Sequence, residues 1–135
     1  MEAFDVKTGL ENYHHYLRSK KRIEEKIEIL NAKRFKVGGS IASIPEGSSS
    51  RDSMLISNGE KYERLTKELA IPTHYLNLVD EFIQWLEQPI KGLVDDKYIN
   101  CLTNSEIETK YGMYKVKINR EVSKSISLFV AYKNR

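Results

Sequence analysis

The sequence predicts an all-α fold, and three observations carry that reading. Apolar residues recur at spacings of three and four along most of the chain, which gathers them on one face of a helix. Strict alternation, the mark of a half-buried strand, occurs only in YKVKI, residues 114 to 118. Charged residues make up 30% of the chain against 40% hydrophobic, a balance that suits helices with one buried stripe and a wide solvated face. A length of 135 residues fits one modest domain or two small helical units.

The N-terminal segment, 1–35, reads as one amphipathic helix from about Thr8 to Arg34. Leu10, Tyr13 and Leu17 fall at i, i+3 and i+7, and Ile23, Ile27 and Leu30 resume the stripe after a phase shift. SKKRIEEKIE supplies charge on the other faces, with Glu/Lys pairs close enough to support the helix. The helix either packs on its own domain or serves as an oligomerising arm. The phase break argues against a long coiled coil. Next, KVGGSIASIPEGSSSRDS holds three of the seven glycines, Pro45 and a serine cluster. Neither helix nor strand is expected to persist there, and 36–52 reads as a flexible linker.

Residues 53–135 then form a helical domain. A helix over Asp52 to Ala70 carries Leu55, Tyr62, Leu65 and Leu69, weakened at Gly59 by roughly 1 kcal/mol relative to alanine. Ile71-Pro72 disfavours helical geometry at the preceding residue, so Thr73 is expected to cap a new helix reaching Gln88. Its stripe is Leu76, Val79, Phe82, Ile83 and Leu86, with Trp85 off the line and facing a neighbouring helix. Pro89 starts another helix, where its missing N–H costs little, with Ile90, Leu93, Val94 and Tyr98 as buried candidates.

The last segment, 102–132, is the most informative. Thr103 followed by Glu106 is a capping box, hydroxyl and carboxylate each meeting a backbone N–H of the other. A helix of two turns ends at Gly112, where glycine supplies the left-handed turn. A second helix runs from near Tyr114 to about Tyr132 on the stripe Ile118, Val122, Ile126 and Phe129, widened by Leu128 and Val130. This is the helix-turn-helix layout, in which the first helix lies across the DNA backbone and the second enters the major groove. With Ile118 and Val122 inward, Lys115, Lys117, Asn119, Arg120 and Lys124 stay solvated. Long basic side chains reach phosphates or guanine edges, and Asn pairs with adenine. From Lys110 to Arg135 there are seven Lys or Arg and one acid, a local +6 in a chain whose total is only +3. That excess points to a polyanion partner; a merely solvated basic tail is the plain alternative.

Motifs for other chemistry are missing. His14 and His15 are adjacent and diverge on a helix, and His74 is isolated, so no metal pair is expected. Asp95-Asp96 reads as solvent-facing helix charge, and Cys101 as buried filler. VGGSIAS lacks the lysine of a phosphate loop. Neither an enzyme nor a cofactor or metal is expected. A single cysteine points to a reducing compartment. Glu2, Asp5 and Glu11 interrupt any signal-peptide pattern, and no apolar run approaches membrane-spanning length, so no membrane role is expected.

LTNSEIETKYGMYKVKINREVSKSI resembles the DNA-binding C-terminal region of primary sigma factors, through Leu102, Thr103, Glu106, Ile107, Gly112 and Ile118. The preceding DDKYINCLT resembles the arginine-tyrosine step that leads into that motif. The wider layout is similar to small phage-encoded regulators of the RinA and ArpU type; the detailed match covers about Leu93 to Ile126. The resemblance implies a regulator of late or lytic phage genes in the cytoplasm of a bacterial host. Double-stranded DNA is its implied partner, and RNA polymerase a further one. By position, Lys115, Asn119 and Arg120 would face the groove, and Lys117 and Lys124 would contact phosphates. The chain departs from the pattern at Glu108, where a small residue is usual and a long acid must point outward. It departs again at Glu121, where an apolar residue is common and Val122 takes over the packing. Two other readings stand beside this one: a protein-interaction adaptor or anti-host factor with a sigma-like fold, and a small-terminase-like DNA packaging protein. Helix-turn-helix proteins commonly dimerise across two half-sites, and residues 10 to 30 are the candidate contact for a homodimer.

Overall fold

A computed structural model of the chain describes the backbone of residues 1–39 and 48–135, and the side chains of 1–33 and 58–135. Among the described residues the secondary structure is helical throughout, with no strand. Helix α1 is Ala3–Glu11, α2 Tyr13–Gly39, α3 Ser48–Trp85, α4 Ile90–Val94, α5 Asn104–Tyr111 and α6 Lys115–Lys133, and a π-helical turn, Asp95–Ile99, follows α4 directly. The all-α class read from periodicity is the class observed. YKVKI belongs to the start of α6, with Tyr114 as its extended N-cap.

Several element boundaries differ from expectation. The helix expected over 8–34 is divided at Asn12, whose backbone leaves the helical region at φ −112°. Asn12 donates to the Thr8 carbonyl from its backbone N–H at 3.1 Å and from its side-chain amide at 2.9 Å. An asparagine side chain that competes for a backbone acceptor ends a helix in this way. The new helix restarts the phase, so Leu17, expected in the stripe, is 45% exposed. The linker expected at 36–52 lies partly outside the described residues, which stop at Gly39 and resume at Ser48; its described ends, 36–39 and 48–52, are helical, as the end of α2 and the start of α3, against the expectation of no regular structure there.

The two helices expected either side of Ile71-Pro72 are one helix, α3, with Pro72 inside it. An interior proline costs about 3 kcal/mol locally. The stripe that follows it, Leu76, Val79, Phe82, Ile83 and Leu86, is buried throughout, and burial of such side chains returns roughly 1.5–3 kcal/mol each. Thr73 therefore caps nothing, and the helix stops at Trp85 rather than Gln88. The helix after Pro89 is short because the chain widens into the π turn at Asp95.

The chain divides into two units, one built from Met1–Leu17 with His74–Arg135, the other from Arg18–Thr73. In the first, Val6 and Leu10 of α1, Leu78, Val79, Phe82 and Ile83 of α3, Leu86 just after it, Leu93 and Val94 of α4, Ile107 of α5, and Ile118, Val122, Ile126 and Phe129 of α6 make one hydrophobic core. Phe129 packs edge-on against Phe82 with ring centres 5.2 Å apart, and Trp85 covers Phe129 at 5.4 Å. Leu128, expected to widen the α6 stripe, is instead 54% exposed. In the second unit Leu30 and Leu65 are buried, Ile23, Ile27 and Leu69 are half-buried, and Tyr62, expected in the stripe, is exposed.

Candidate nucleic-acid interface

Helix α5, the turn and α6 are built locally as the residue types dictate. Thr103 Oγ1 accepts from the Glu106 backbone N–H at 3.2 Å, and the Glu106 carboxylate accepts from the Thr103 N–H at 3.4 Å. At the other end Gly112 adopts φ +63°, and its N–H donates to the Glu108 carbonyl at 2.8 Å. Ile107 is fully buried and pins α5 to the core; Ile118, Val122, Ile126 and Phe129 pin α6.

Glu108 does not simply point outward. Its carboxylate accepts from the Lys115 backbone N–H at 2.9 Å, across the turn. That satisfies one of the orphan donors at the start of α6 and sets a negative charge against the positive end of the helix dipole. The Glu108 charge thus weakens the attraction of the α6 N-terminus for an external anion.

Lys115, Lys117, Asn119, Arg120 and Lys124 are all exposed. At 3.6 residues per turn, Lys117, Arg120 and Lys124 lie within roughly 60° of one another on the face away from the core. Lys115 and Asn119 share a different flank, roughly 160° round the helix from Lys117. Val116, 69% exposed, and Arg120 lie on the strip between the two flanks. No carboxylate is within ion-pair distance of Lys115, Lys117, Arg120 or Lys124 among the described residues, whereas Lys110 and Lys133 are paired to Asp96 and Glu81 at 2.8 Å.

The π turn holds both helices, a role the sequence did not reveal. Asp96, expected to face solvent, is buried at 7% exposure. It accepts from Lys110 Nζ at 2.8 Å, from the Tyr111 hydroxyl, and from the Asn100 amide at 3.0 Å. The Lys110 bond, then those from Tyr111 and Asn100, hold its carboxyl down at about 2. Burial, followed by the bond to Asp96, pushes the Tyr111 hydroxyl up to about 12. The next residue, Lys97, turns the other way and donates to Asn119 Oδ1 of α6 at 2.6 Å. Consecutive side chains of one turn thus tie down α5 and α6. His14 Nε2 adds a bond to the Ile99 carbonyl at 2.8 Å.

Cys101, expected as buried filler, is exposed at φ +54° in the step between the π turn and the Thr103 cap. A non-glycine residue there bends the chain at a cost of about 1–2 kcal/mol. His15 and His74 are exposed, and no group of three or more His, Cys, Asp or Glu side chains that could hold a metal occurs among the described residues. None of the described helices is long and apolar enough to cross a membrane. No family model, curated protein or solved structure matches this chain.

Proposed function

We propose that the protein binds duplex DNA through a helix-turn-helix formed by α5, the Gly112 turn and α6, and acts as a transcriptional regulator. The observation that carries the reading is the face of α6. One side of the helix is locked into the core by four buried residues, and the opposite side offers Lys117, Arg120 and Lys124 without acidic partners among the described residues. A short capped helix and a glycine turn precede it, as helix-turn-helix docking requires. Arg120 is the base reader, because an arginine at the centre of a groove-facing strip can make the bidentate contact to guanine. Lys117 and Lys124 are phosphate contacts. The sigma-like residue pattern extends the reading to a phage or prophage regulator that works alongside RNA polymerase.

Selection of duplexes from a random pool by the purified protein at moderate salt tests this. The expected result is a defined sequence motif that is lost or relaxed at one position in Arg120→Ala. Recovery of no motif, with wild type and variant alike, would count against sequence-specific regulation.

A second reading, a protein-interaction adaptor, draws on exposed apolar side chains beside the same face. Tyr114 is 83% exposed and Leu128 54%. Capture of a host protein that survives Lys117→Gln, Arg120→Gln and Lys124→Gln together would favour it.

A further inference from the structure

The sigma-like resemblance implies phosphate contacts on one flank of α6 only, at Lys117 and Lys124. A helix seated in the major groove runs between two backbones, so the opposite flank also needs cations. That flank carries Asn119, whose amide oxygen is held by Lys97 Nζ at 2.6 Å. The orientation of this amide is forced: an ammonium only donates, so Asn119 must turn its oxygen towards it and its NH2 away. Lys97 also lies 5.2 Å over the Tyr98 ring. Around them is an open cleft of about 250 Å³ between the π turn, α1 and α6, with Lys7 and Glu11 on its α1 side and Ser123 on its α6 side.

Lys97 has no carboxylate within ion-pair distance among the described residues. Burial, and next the positive charge of Lys115, lower the pKa of its ammonium, and only Glu11 works in the opposite sense. Lys115 lies outside the lining of this cleft but one helical turn before Asn119 on the same flank of α6, so its side chain and the Lys97 ammonium held at Asn119 bracket an oriented amide donor, a place for an anion.

We propose that Lys97 and Lys115, with Asn119 as the residue that positions Lys97, form a phosphate clamp on the flank of α6 opposite Lys117 and Lys124. Asn119 then orients a phosphate contact instead of reading adenine, since one of its two base-pairing atoms is engaged by Lys97. The clamp rests on the DNA-binding reading, and the ligand is a backbone phosphodiester of the same duplex. A contact of this kind is blind to sequence, so it anchors the helix without narrowing its choice of site.

The test is the salt dependence of duplex binding by the full chain, on one matched and one unmatched duplex. Each phosphate contact contributes about 0.9 to the slope of log K against log salt. Lys97→Gln and Lys115→Gln are each expected to reduce the slope by about that amount, equally on both duplexes. Lys97→Arg keeps the charge and is expected to keep the wild-type slope. This separates loss of a contact from loss of the fold. Lys133→Gln, at the far end of α6 and paired to Glu81, is expected to leave the slope unchanged. If the slope drops for Lys117→Gln and Lys124→Gln but not for Lys97→Gln or Lys115→Gln, the clamp is wrong and the DNA reading stands. If the wild type binds neither duplex, the DNA reading fails and the clamp with it.

Discussion

Gly112 sits at φ +63° with open space where a Cβ would project, so its requirement is conformational and not steric. An L-residue pays about 1–2 kcal/mol in that region. Gly112→Ala is expected to destabilise the protein by about 1 kcal/mol in denaturant titration, and Gly112→Asn by less. Asp96 makes a different kind of demand. Its folded pKa of about 2 lies below the ordinary value of 3.8, so folding favours its charged form. The stability it contributes is fully present above about pH 4 and is lost as pH falls towards 2. Asp96→Asn is expected to flatten the pH dependence of stability across that window and to cost about 1.5–3 kcal/mol at neutral pH, the worth of hydrogen bonds to a charged group. Equal acid sensitivity in the variant and wild type would contradict the assignment. Thr103, Glu106 and Gly112 were legible in the sequence because caps and glycine turns are local chemistry. Asp96 was not, since its partners Lys110 and Tyr111 are 14 and 15 residues away and only the fold brings them near.

Among the elements, the close approach of α1 to α3 is set by Gly9. A Cβ there would stand 2.9 Å from Val79 Cγ2 and 3.3 Å from the Tyr75 carbonyl. Val79 is fully buried and cannot swing away. Gly9→Ala gains some helix propensity but overpacks a filled interior, which costs about 1–3 kcal/mol. A net loss of about 1 kcal/mol in unfolding free energy, read as a lower denaturant midpoint, is expected; a gain would show that α1 can move outward freely. The α3 and α6 stripes were readable because their 3.6-residue period is long and unbroken. Periodicity could not show that Asn12 ends α1 or that α3 passes through Pro72. Side-chain competition for one carbonyl decides the first. Burial on the far side of the proline outweighs local preference in the second. The π turn escaped for a related reason: DDKYI looks like ordinary helical charge, and its two-sided role depends on which way Asp96 and Lys97 each turn.

For the whole molecule, a net charge of only +3 offers little general attraction to DNA, so binding must come from a local surface. On the proposed reading that surface is α6, whose buried stripe fixes which of its side chains face outward. The most direct test is titration of a random-sequence duplex at low salt with the wild type and with Lys117→Gln/Arg120→Gln/Lys124→Gln. The three substitutions are exposed and leave the core untouched. Binding by the wild type that weakens steeply with salt, with a slope reduced by about 2 to 3 in the variant, is the predicted result. Failure of the wild type to bind, or identical salt curves for both proteins, would contradict the assignment of α6 as a DNA-binding helix.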